Sequence, residues 1–237
     1  MKKLFLLFFI SFFLQKTYAQ FWIEAGIKGA SGVTLLYNPN IFDDPNASYK
    51  MKSDFAVGPR IGLNFNESHG LSIEGLYSQS RAYYAGKPAG STSVQPLNYD
   101  WNNIDAYVMY RYFYERSFIE IGPKLSTLRG ITQNTVDVTD KFNKTNLGAA
   151  FGFGGFLAGG ENLSLSLNFR FDYQFSDFVG TAGKAATNAY PFTFSKYDSY
   201  SKTSPIVGRI GLDMTFALGG TAKAQCGRRV VFFGGGR

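Results

Sequence analysis

Residues 163–176 read LSLSLNFRFDYQFS. Leu163, Leu165, Leu167, Phe169, Phe171, Tyr173 and Phe175 fall on one side, and Ser164, Ser166, Asn168, Arg170, Asp172, Gln174 and Ser176 on the other. Period-two alternation is the mark of a strand; an α-helix would bring Phe169 and Asp172 onto one face. Residues 104–115 (IDAYVMYRYFYE) repeat it, with Ile104, Ala106, Val108, Tyr110, Tyr112 and Tyr114 against Asp105, Tyr107, Met109, Arg111, Phe113 and Glu115. The pattern predicts strands over about 21–35, 51–66, 70–85, 98–115, 118–132, 146–158, 163–178 and 204–218. Short connectors (Asn66–His69, Arg116-Ser117, Gly159–Asn162) alternate with long ones over about 36–50, 86–97, 133–145 and 179–203. The long ones are rich in Asn, Asp, Ser, Thr, Gly and Pro, which supply turn geometry.

Eight long strands with short turns at one end and long loops at the other predict an all-β fold: an eight-stranded antiparallel up-and-down transmembrane β-barrel. A soluble sandwich uses strands of about 5–6 residues, whereas these exceed the 9–11 that cross a bilayer on a tilt. The placement of charge separates the two. Outward candidates such as Ile23, Ile27, Ile61, Ile73, Ile121, Phe151, Phe153, Ile210 and Phe216 include no charge. Inward candidates carry Glu24, Lys28, Arg60, Glu74, Asp105, Arg111, Glu120, Lys124, Arg170, Asp172, Arg209 and Asp213, equal numbers of acids and bases. A charge facing lipid at the midplane costs roughly 2–4 kcal/mol, while buried opposite charges are tolerated when paired. The pattern predicts a narrow lumen filled by ion pairs between neighbouring strands.

The ends of the chain differ from this body. Lys2-Lys3, the apolar run Leu4–Leu14, and Thr17 and Ala19 before Gln20 predict a cleaved export signal over 1–19. The run is too short to span a bilayer, which needs about 20 residues. The barrel is expected over 20–219 and a basic periplasmic tail, outside the sheet and disordered, over 220–237. Lys2, Lys3 and Lys16 at one end and Lys223, Arg228, Arg229 and Arg237 at the other account for the net charge of +7: without them 17 basic residues face 17 acidic. The high pI therefore implies no nucleic-acid surface. Aromatics at 17% exclude a disordered chain. One cysteine, Cys226, excludes a disulfide framework within the chain.

Tyr77, Tyr83, Tyr84, Tyr99, Tyr107, Tyr110, Tyr112, Tyr114 and Tyr173 cluster toward strand ends and are expected at the two water–lipid rims. Pro59 and Pro123, each in a Gly-Pro-basic tripeptide inside a strand, are expected to force a bulge or a break.

FWIEAGIKGA at 21–30, GPRIGLNF at 58–65 followed by GLSIEGLYS, and GRIGLDMTF at 208–216 resemble the first, second-to-third and last strands of the small outer-membrane barrels of Bacteroidetes-type bacteria, the PorT-like or porin-family barrel domain. The resemblance covers about Gln20–Gly219 and implies an architecture and a cell outer-membrane location rather than an activity. The tail departs from it, and no appended peptidoglycan-binding domain is expected after Phe216. Catalysis is not expected, since hydrolytic nucleophiles normally need a histidine base and the only one, His69, lies in a turn. Asp43-Asp44 reads as a solvated turn before a weak calcium site. No catalytic, cofactor-binding or metal-binding residue is assigned. Eight strands leave room only for side chains, whereas aqueous channels need about 16. A structural or interaction role therefore leads over a narrow solute channel or an accessory barrel of a secretion or assembly complex. The expected surroundings are outer-membrane lipid and an envelope protein held through loop 179–203, whose Tyr190, Phe192, Phe194, Tyr197 and Tyr200 read as exposed aromatics or as strand extensions; the barrel is expected to be a monomer.

Overall fold

The computed structural model describes residues 21–88, 91–159, 163–195 and 197–218. The export signal over 1–19, the tail over 220–237, and most of the short turn after Gly159 lie outside the described residues. In chain order the elements are β1 (Trp22–Tyr37), α1 (Pro39–Phe42), β2 (Ser48–Asn64), β3 (His69–Gly86), β4 (Gln95–Tyr114), β5 (Ser117–Gln133), β6 (Val136–Asp137), β7 (Thr145–Gly159), β8 (Leu163–Gln174), α2 (Thr181–Ala186) and β9 (Ser204–Leu218). All strands except the two-residue β6 form one ring. It runs β1-β2-β3-β4-β5-β7-β8-β9 and closes by pairing β9 with β1, antiparallel throughout. Closure removes the edges that an open sheet would leave unpaired in lipid.

The stagger follows from the register. Trp22 lies opposite Asn64, Asn64 opposite Gly70, and Gly70 opposite Arg111. Arg111 then faces Glu120, Glu120 faces Gly152, and Gly152 faces Arg170. Arg170 faces Arg209 and Arg209 faces Gly32. One circuit therefore goes from 22 to 32 and climbs ten residues along β1. For eight strands that stagger belongs with a tilt of roughly 35–45° and an interior just wide enough for side chains.

Alternation sorts the faces as the sequence predicts. Ile27, Ile61, Ile121, Phe151, Phe171 and Ile210 stand on the exposed outer wall, and the polar partners turn inward. Strand ends fall within a few residues of expectation. The prolines do not: Pro59 pairs with Ile27 and Pro123 with Ala149, and the register on either side of each is unbroken. In an antiparallel ladder a residue bonds to one neighbouring strand only, so a proline loses one bond on one side and the other side still pairs. The preceding glycines help, because a Cβ on Gly58 or Gly122 would sit 2.0 Å from the carbonyl oxygen of Gly75 or Val108. The bulges lie elsewhere, between Met51 and Asp54, between Asn102 and Asn103, and between Phe156 and Ala158.

Candidate functional site

The ring interior is stacked in layers. At the short-turn end Phe113, Phe118 and Phe156 pack with centroids about 6 Å apart and form an aromatic floor. Trp22 lies buried at the same end, its Nε1 donating to Glu24 at 3.0 Å.

Above the floor are two ionic layers. In the lower one, Glu74, Glu120 and Asp213 are surrounded by Lys28, Arg60, Arg111 and Arg170. Arg170 is its centre: Nη1 and Nη2 donate to the two oxygens of Glu74 at 2.6 and 2.9 Å, while Nε and Nη2 donate to Glu120 at 2.8 and 2.6 Å. Arg111 bridges Glu120 and Asp213 at 2.7 and 2.9 Å, with its guanidinium 4.6 Å above the Phe118 ring. In the upper layer Arg209 binds Asp54 through Nε and Nη2, and Asp172 at 3.0 Å. Lys124 joins Asp105 and Asp172 at 3.3 and 3.0 Å, and the Tyr107 hydroxyl donates to Asp172 at 2.7 Å. Such charge-assisted, partly bidentate bonds are the arrangement that makes a buried ion tolerable.

All twelve inward charges expected from the sequence are buried. Their pairing differs from expectation. Arg170 on β8 reaches Glu74 on β3 and Glu120 on β5, and Arg209 on β9 reaches Asp54 on β2, so many bonds span the lumen instead of joining neighbours. A long guanidinium stem crosses so narrow an interior. Asp54 was not among the twelve, yet it is buried and has the alternation phase of Arg60. Tyr107, expected at a rim, lies inside, on the same face as Asp105. The one ring strand without an inward charge, β7, makes space instead: a Cβ on Gly152 would lie 2.9 Å from Glu120 Oε1 and 2.8 Å from the Phe169 carbonyl oxygen.

The long-loop end is closed by an apolar cap. Leu36, Tyr84, Tyr99, Trp101 and Ile131 from the strand ends pack with Ile41 of α1, with Val138 and Phe142 between β6 and β7, and with Phe178, Tyr190 and Phe192 between β8 and β9. Tyr190 and Phe192 are thus core residues, neither exposed aromatics nor strand extensions, and Tyr84 and Tyr99 belong to the cap rather than a rim. Their hydroxyls meet backbone: Tyr84 donates to Leu36 and Tyr99 to Pro191, both at 2.6 Å. Tyr110 and Tyr112 remain outside at the short-turn rim, where the Tyr110 hydroxyl lies 2.6 Å from His69 Nδ1.

Asp44 fastens the first loop to the last. Ser195 and Tyr197 each donate a hydroxyl to its Oδ2 at 2.7 Å, and the Asn46 amide donates to Oδ1 at 2.8 Å. Burial alone would raise this carboxyl, but those donors outweigh it and hold it below its ordinary range. A plain solvated turn is therefore not what the pair forms: Asp43 is exposed and Asp44 is a clasp. Asp177 does similar work, accepting from Tyr200 at 2.6 Å and pairing with Lys184 at 2.8 Å. Burial pushes the Tyr190 phenol up to about 12.

Residues 13–180 match the family model described as outer membrane protein beta-barrel domain. No curated protein matches the chain. Among solved structures, it is similar to the outer membrane protein OprG from Pseudomonas aeruginosa, at 9% identity over 84% of this chain and 96% of that one, with a TM-score of 0.47. Neisserial surface protein A gives 16% identity over 81% and 95%, with a TM-score of 0.39. Ail of Yersinia pestis, crystallised with the heparin analogue sucrose octasulfate, gives 11% over 83% and 99%, with a TM-score of 0.37.

Proposed function

The chain belongs to the outer membrane protein beta-barrel domain family, and from that premise we propose that it serves the outer membrane as a sealed barrel whose capped loops are its working face. The family sets the location and the architecture. The observation that carries the rest is the filled interior: two ion-paired layers held between an aromatic floor and an apolar cap. Solute transport needs a continuous wet path, and each layer along this one is made of packed side chains. The reading assigns no catalysis. His69 is bonded to a phenol at the short-turn rim, away from the loops.

In this reading the long loops face outward and the short turns face the periplasm, and the chain falls within the small PorT-like branch that its strand motifs resemble. An envelope protein would meet the rigid outside of loop 179–203, where Lys184, Asn188, Thr193 and Asp198 are exposed, and not its buried aromatics. Deleting the loop would also remove Tyr190 and Phe192 from the cap, so the test uses substitutions at those four exposed positions. The expected result is a barrel that is assembled and heat-modifiable as before but loses a partner captured by the wild-type chain in envelope cross-linking. Retention of every cross-link by the substituted barrel contradicts a role for that face.

A further inference from the structure

We propose that the outer wall at the long-loop end of β2, β3 and β4 holds an anionic headgroup site for a phosphorylated glycolipid of the outer leaflet. It rests on the reading above only for the choice of leaflet. On β2, Asp54, Ala56 and Arg60 point into the lumen while Phe55, Val57 and Ile61 point out. Unbroken alternation would send Lys50 and Lys52 inward with Asp54. The bulge between Met51 and Asp54 reverses the phase, a recognised way in which a strand re-aims a side chain. Lys50 then lies opposite Tyr83, and both lysine ammoniums hang over that ring, Nζ at 5.4 and 5.2 Å from its centroid. Neither has an acidic partner among the described residues.

Beside them is a cleft of about 450 Å³ lined by Lys52, Ser53, Gln79, Arg81, Asn98 and Asp100. Arg81 pairs with Asp100 at 2.8 Å, which fixes the guanidinium and leaves the site with three cations, Lys50 included, against one carboxylate. The Ser, Gln and Asn side chains offer donors and acceptors to sugar hydroxyls. Directly below on the wall are Phe55, Val57, Tyr77 and Ile104, exposed and apolar, as acyl chains require. A cationic, sugar-compatible cleft continuous with an apolar track fits an amphiphile with a phosphorylated saccharide head. At the short-turn end the described turn residues carry Glu67, Glu115 and Arg116 instead, a poor match to the same head.

The test titrates the full-chain barrel in detergent with a bisphosphorylated lipid A, followed by native mass spectrometry. Lys50→Gln with Lys52→Gln should weaken binding about thirtyfold, from roughly 1 kcal/mol per charge near a lipid surface. Removing the lipid's phosphates should weaken wild-type binding to a similar degree. Lys144→Gln with Lys202→Gln, an equal loss of charge outside the cleft, should leave binding unchanged. Wild-type affinity in the first double variant, equal losses in both double variants, or displacement of the lipid by inorganic phosphate would each overturn the proposal. Binding in detergent does not depend on which end faces outward or on whether the barrel conducts, so this result stands apart from a failure of the sealed-barrel reading.

Discussion

A guanidinium in the middle of a barrel stabilises it only while every carboxylate around it keeps a partner. Arg170 serves two, Glu74 and Glu120. Arg170→Ala leaves Glu120 with Arg111 but takes from Glu74 both of its guanidinium hydrogen bonds, and should destabilise the barrel by up to about 3–5 kcal/mol, the range for a buried pair broken by removing one partner, measured as an earlier midpoint of urea unfolding in lipid. Gly152→Ala should cost about 1–3 kcal/mol by overpacking, since its Cβ would press on Glu120 and on the β8 backbone; the same titration reads it. Asp44 predicts a pH effect in the loops. Its folded pKa is depressed, so its contribution is present above the unfolded value near 3.9 and is lost as pH falls through the folded one. The carboxylate is partly hydrated, and the effect stays under about 1 kcal/mol. The protection of amides around Ser195 and Tyr197, taken relative to their intrinsic exchange rate at each pH, should fall in acid in the wild type, and should be low at every pH in Asp44→Asn.

At the scale of elements, what the sequence revealed was whatever alternation encodes. Each strand from β1 to β9, other than β6, carries a period-two pattern long enough to fix both its extent and its inward face, so the lumen charges were legible before any pairing was known. Asp54 was legible too, since it shares the phase of Arg60. Alternation says nothing of what happens where its phase breaks. The bulge that turns Lys50 and Lys52 outward has no Gly or Pro at its site, whereas the prolines that suggested bulges sit in unbroken strands. Nor does a local pattern report which distant carboxylate an arginine reaches across the lumen. The cap was hidden for the same reason: Tyr190 and Phe192 look like loop aromatics until the ring brings Tyr84, Tyr99 and Phe142 beneath them. Tyr190→Ala with Phe192→Ala should loosen the cap by several kcal/mol, at about 3–5 kcal/mol for each large aromatic truncated. Limited proteolysis should then cut between β8 and β9 while the ring keeps its heat-modifiable migration. Cleavage no faster than in the wild type would contradict a packed cap.

For the molecule as a whole, the layers divide the work. The outer wall is apolar where lipid must be met, and closure leaves no edge among the eight strands of the ring. The interior is polar, and its charges pair with one another across the lumen. In the proposed reading that combination makes a closed post, and loosening the cap alone is expected to leave the ionic layers in place beneath it. The most direct measurement is therefore the electrical one. In a planar bilayer, the purified full-length chain is predicted to give no stepwise conductance, and neither is the Tyr190→Ala, Phe192→Ala variant. A steady ohmic conductance from the wild-type barrel that is abolished by blocking its lumen would contradict the sealed interior.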